Sequence, residues 1–99
     1  MSAGASDEEA RQREIALLDA CFDFPSDFPL SVIARNEANV GAAVLAAASG
    51  AEAPVAHQHQ LSAGGKYVSH RLEVRCATAE EAHALRVRLR AVDGVITVL

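Results

Sequence analysis

Three histidines, His57, His59 and His70, are the residues of this 99-residue chain whose type and spacing come closest to chemistry. His57 and His59 are two positions apart, so on a β-strand both imidazoles lie on one face. Ala63-Gly64-Gly65 marks a hairpin after them. A turn at Gly64-Gly65 makes paired positions sum to 129, which sets His59 opposite His70 and His57 opposite Leu72. A loop two residues longer sets His57 opposite His70 instead. In either register the three imidazoles share a face, and three imidazoles converging on one point are a zinc-type ligand set. The same parity places Val55, Leu61, Val68, Leu72 and Val74 on that face, which makes it the side that helices cover. The expectation is therefore hydrogen-bonded histidines at the edge of a core, with no metal and no other cofactor; His57, His59 and His70 remain the metal candidates.

Other reactive arrangements are weaker. Ser69 and His70 are adjacent and project to opposite faces, so they cannot pair within a strand. No GxSxG, HExxH or phosphate-binding glycine loop occurs, and Cys76 sits at an inward position. The chain is expected not to be an enzyme. The stretch Gly65-Lys66-Tyr67-Val68-Ser69 is faintly similar to the third strand of an RNA-recognition motif, but Tyr67 has no outward aromatic neighbours on which bases could stack. Nucleic acid is excluded on that ground, and the formal charge of −4 agrees.

That charge is uneven. Residues 1–28 hold seven acids and two bases, net −5, whereas residues 29–99 hold six acids and seven bases, net +1. Tyr67, Arg71 and Arg75 on a strand, with Arg86, Arg88 and Arg90 on a helix, give the second half a basic lean. The simplest reading is a solvated surface. The alternative is a docking surface for an acidic partner, or for the chain's own acidic N-terminal segment.

The elements that position these residues follow from patterning. Residues 1–6 read as a disordered start, and a short helix follows from Asp7, with Ser6 as its cap and apolar content only in its last turn. Residues 1–23 thus form an acidic extension, partly disordered or a short, weakly docked helix, and residues 24–99 form the domain. Phe28, Leu30, Val32 and Ala34 alternate with polar positions as a first strand. An Ala-rich helix, capped by Asn36 or Asn39, ends at Ser49-Gly50. The hairpin strands run over Val55–Ser62 and Lys66–Cys76. Thr78-Ala79-Glu80-Glu81 is a capping box ahead of a helix with Ala82, Leu85, Leu89 and Val92 inward. Val95–Leu99 is the last strand. The order β-α-β-β-α-β specifies an α+β, ferredoxin-like domain: a four-stranded antiparallel sheet with two helices on one face.

The longest apolar run, Val40–Ala51, is too short to cross a bilayer, and no basic-then-apolar leader is present. Cys21 and Cys76 are 55 positions apart and suggest neither a metal finger nor a disulfide framework. A cytoplasmic protein without membrane association is expected, as a monomer or a homodimer.

Phe24-Pro25-Ser26-Asp27-Phe28, then Ser62-Ala63-Gly64-Gly65-Lys66-Tyr67-Val68-Ser69, then a terminal Val98-Leu99, resemble the YbeD-like family of small bacterial proteins of unknown function. The resemblance covers about residues 17–99. It implies an ACT-like, ferredoxin-like fold, with Phe24, Pro25, Phe28, Ser62, Gly65, Tyr67 and Ser69 as mainly structural motif residues. It also implies apolar residues at the His59 and His70 positions. ACT-type domains hold small effectors near the end of strand one, which here is Ala34, Arg35 and Asn36; relatives usually carry Gly where Ala34 stands. The reading is a non-catalytic regulatory or protein-interaction module with an unknown protein partner. A small-effector domain is the alternative, and metal binding through the strand histidines comes third.

Overall fold

The computed structural model describes residues 3–50 and 53–99. Its elements are α1 (Ala3–Cys21), β1 (Ser26–Arg35), α2 (Ala38–Ala48), β2 (Ala56–Leu61), β3 (Tyr67–Cys76), α3 (Ala79–Arg90) and β4 (Val95–Val98). The four strands form one antiparallel sheet in the order β2-β3-β1-β4. From β1 onward this is the ferredoxin-like β-α-β-β-α-β arrangement that the patterning specifies.

Alternation decides the sheet's two sides. Phe28, Leu30, Val32 and Ala34 of β1 and Val68, His70, Leu72, Val74 and Cys76 of β3 are all buried beneath the helices. Val40, Val44 and Ala48 of α2, with Ala82, Leu85 and Leu89 of α3, supply the other half of the core. Burial removes these side chains from water at roughly 25 cal/mol per Å² of apolar surface, the main force holding the two layers together. The hairpin follows the shorter of the two registers: His57 pairs with Leu72, His59 with His70 and Leu61 with Val68.

Local chemistry sets the helix starts. At α3 the Thr78 hydroxyl accepts the Glu81 N–H at 3.2 Å, and the Glu81 carboxylate accepts the Ala77 N–H at 2.7 Å. The expected capping box is present, with its return bond one residue earlier than the standard form. At α2 the expected Asn cap is replaced. Glu37 holds the cap position without a side-chain bond to the helix, because Asn36 donates its Nδ2–H to the Gly65 carbonyl at 2.8 Å.

The N-terminal segment departs most from expectation. In place of a short helix from Asp7 under a Ser6 cap, α1 runs from Ala3; Met1 and Ser2 lie outside the described residues. Nor is it weakly docked. Ile15 and Leu18 are buried in the same core cluster as β1 and α3. Glu14 lies among three side chains of α3: Arg86 at 3.4 Å, His83 at 3.5 Å and Arg90 at 4.0 Å. After the helix, Phe22, Phe24 and Phe28 pack with ring centroids 5.1–6.2 Å apart and tie it to β1.

Candidate functional site

The histidine cluster arises from one edge of the sheet. β2 pairs only with β3, and the helices pack over β1, β3 and β4. Val55 and Leu61, expected beneath the helices, are 57% and 55% exposed. The correction has a simple cause: parity fixes which face a residue is on, but not whether a helix reaches that far along the sheet. The three imidazoles accordingly differ. His70 is 6% exposed, His57 is half-buried and His59 is exposed.

His57 Nε2 and His70 Nδ1 are 3.0 Å apart, with the ring planes within 16° and the centroids at 5.3 Å. The two nitrogens therefore face each other close to the line joining the rings, as in a hydrogen bond in the ring plane. One ring donates an N–H and the other accepts it, so the contact cannot survive with both facing nitrogens protonated. The His59 ring lies 6.0 Å from His57 and 6.4 Å from His70. Among the described residues no group of three His, Cys, Asp or Glu side chains is placed to hold a metal ion. His57 and His70 are thus hydrogen-bonded at the edge of the core, whereas His59 stands exposed beside them.

Burial holds the His70 pKa below the ordinary 6.5, and the neighbouring His57 and His59 lower it further. Among the described residues, α2, whose Gly41 backbone lies over the His70 ring, brings no ionisable residue between Ala38 and Ala48. From β1, the residue opposite is Val32. The unfolded chain therefore takes up a proton at this site before the folded one does. Stability is flat above about pH 6.5 and declines as the pH falls below it. Melting temperatures measured from pH 8 to pH 5 should fall more steeply for the wild type than for His70→Leu. Parallel curves would show that this imidazole does not couple to folding.

The expected effector junction is occupied by its own chain. Ala34 is fully buried, Arg35 pairs with Glu37 at 2.9 Å and Asp93 at 3.9 Å, and Asn36 is held by Gly65. The hairpin motif is held by local hydrogen bonds. Gly65 adopts φ +73° and donates to the Ser62 carbonyl, while the Ser62 hydroxyl accepts the Tyr67 N–H. Cys76 is buried, and burial beside Glu81 pushes its thiol pKa up, which keeps it in the unreactive protonated form.

The basic groups divide between two places. Arg86 and Arg90 face Glu14 of α1, so the chain's own N-terminal segment takes them. Arg88 donates to the Ala47 carbonyl. Tyr67, Arg71 and Arg75 stand on the side of the sheet that no helix covers. There Arg75 meets Asp27 at 3.5 Å. Arg71 lies between Ser31 and Gln58 on the neighbouring strands and is in no ion pair among the described residues. It borders a shallow trough of about 510 Å³ whose lining also includes Pro29, Ser31, Ala56, Glu73 and Leu99. The trough could not be foreseen, because its lining comes from strands that are distant in sequence.

Residues 19–99 match the family model described as Protein of unknown function (DUF493). The chain belongs to this family. The YbeD-like resemblance is to the same family of small proteins, so the motif at Phe24–Phe28 and the hairpin identify DUF493 correctly. The DUF493 match leaves out the first 18 residues, and with them Glu14, Ile15 and Leu18, which fasten α1 to the domain. No curated protein and no solved structure matches the chain. No helix of the described residues is long and apolar enough to cross a membrane.

Proposed function

We propose that this DUF493 protein is a non-catalytic regulatory or protein-interaction module that takes an acidic segment of a partner on the uncovered side of its sheet. The observation that carries this is Arg71. The other arginines of that side and of α3 are ion-paired or hydrogen-bonded within the chain, and of the acidic N-terminal segment Glu14 lies against α3. Arg71 alone presents a guanidinium, which binds carboxylates in bidentate fashion, at the rim of a trough with exposed Tyr67 on the same strand face. A bacterial, cytoplasmic setting belongs to the same proposal and fits two free thiols.

The test is fluorescence anisotropy with a labelled peptide rich in Asp and Glu. Wild type should bind it at low salt, and Arg71→Glu should weaken binding at least tenfold, while Arg88→Glu leaves it within about twofold. No binding by wild type, or equal loss in both variants, would overturn the proposal. The small-effector alternative at Ala34, Arg35 and Asn36 has the weaker support, since those polar groups are already bonded. An amino acid that raised the melting temperature would favour it, because only a ligand of the folded state does so.

A further inference from the structure

The outer edge of β2 is a second feature without a partner. The Ser62 N–H donates to the Tyr67 carbonyl, which turns the even-numbered residues of β2 toward β3. The N–H and C=O groups of His57, His59 and Leu61 therefore point outward from the sheet. Proteins blunt such edges with Pro, Lys, bulges or very short strands. None of residues 55–61 is Pro, Lys, Arg, Asp or Glu, whereas the opposite edge, β4, is four residues long and bulged in its pairing.

The sequence of this edge is symmetric about Gln58. Reading outward in both directions gives His57 and His59, then Ala56 and Gln60, then Val55 and Leu61. An antiparallel pair of such strands about a two-fold axis at Gln58 sets each His57 opposite the partner copy's His59. It also brings each exposed Leu61 to the Val55 end of the other copy. The outward backbone groups fall at His57 and His59, which are the pairs that exchange N–H···O bonds in this register. A strand that matches itself in apolar ends and imidazoles, and in bonding parity at His57 and His59, has the self-complementarity a two-fold interface needs; the Val55 N–H, which donates to the Glu73 carbonyl, stays outside that ladder.

We infer that β2 pairs with β2 of a second copy of this chain, in antiparallel register centred on Gln58, joining two sheets into one of eight strands. The occupant is a second copy because the pattern repeats itself under the two-fold, which an unrelated strand has no reason to match.

Sedimentation of the full chain at pH 8 with a chelator present, from about 10 µM to about 1 mM, reads the association directly. Wild type should shift from monomer to dimer with concentration. Leu61→Lys, which puts a charge at the joined edge, should raise the dissociation constant at least tenfold. His59→Pro removes only an outward N–H of the backbone and should do the same, with circular dichroism confirming an unchanged fold. The register has its own readout. Residue 58 faces its counterpart as a non-hydrogen-bonded pair, with Cα atoms about 4.5 Å apart, close enough for a disulfide. In a Cys21→Ser background, Gln58→Cys should cross-link on mild oxidation and Gln60→Cys should not. A chain that stays monomeric throughout, a dimer indifferent to both edge variants, or equal cross-linking at both positions would overturn the inference.

Discussion

Replacing Gly94 by Ala should lower the unfolding free energy by about 2–4 kcal/mol, through backbone strain and overpacking together. Gly94 sits between α3 and β4 with φ +97°, a region that L side chains rarely adopt. A Cβ there would lie 2.6 Å from Val40 Cγ2 and 3.0 Å from its Cγ1. Val40 is only 2% exposed, so it cannot swing aside. The same glycine accepts the Arg35 N–H at 2.9 Å, which means that a shift of its backbone also loosens the end of β1. For a domain this small, the loss corresponds to a fall of roughly 10–25 °C in melting temperature. Two other glycines separate the causes. Gly65 has φ +73° but open space around it, so Gly65→Ala should cost about 1 kcal/mol from the backbone alone. Gly64 has neither a positive φ nor a neighbour within 4 Å, so Gly64→Ala should be within about 0.5 kcal/mol of wild type. Denaturant unfolding of the three variants gives the ordering, and equal losses at Gly64 and Gly94 would contradict it.

What the chain discloses before folding, and what it withholds, divides along a physical line. The period-2 pattern of Phe28–Ala34, the Thr78–Glu81 cap and the hairpin are set by residues close in sequence, and all three appear in the structure, the hairpin in one of the two registers its loop allows. So does the shared face of His57, His59 and His70. The extent of helical cover is a different kind of fact. Val55 and Leu61 have the same parity as Leu72, yet they are exposed because α2 and α3 lie over β1, β3 and β4. Cap choice at α2 was equally out of reach, since Asn36 is drawn away by a carbonyl 29 residues later in the chain. The Arg71 site is intermediate. Its outward direction follows from alternation, but its lack of an ion pair depends on which carboxylates the tertiary fold brings to the neighbouring strands.

The docking of α1 is the largest item the local pattern conceals, and Leu18→Ala measures it. Two apolar side chains near the end of a polar helix look like too little to anchor it. Yet Ile15 and Leu18 are both buried, and Glu14 lies one residue before Ile15 with Arg86, Arg90 and His83 of α3 around it. Truncating a buried Leu costs about 2–5 kcal/mol, and the lower half of that range suits a site at the margin of the core. Glu14→Ala should cost about 1–2 kcal/mol, because it leaves Arg86 and His83 partly buried beside each other without their carboxylate. The two losses respond differently to salt. At about 1 M salt the Glu14 effect should shrink by at least half while the Leu18 effect persists, since the Debye length falls to about 3 Å and apolar burial is not screened. Hydrogen exchange supplies the local readout: amides from Ile15 to Cys21 should be protected in wild type and lose protection in Leu18→Ala before those of β1 do. If α1 were the loose extension its polar sequence suggests, its amides would exchange as a free helix and Leu18→Ala would leave stability unchanged. The family match begins at residue 19, so the same pair of variants also tests whether a helix lying largely outside the shared DUF493 segment has become part of this chain's core.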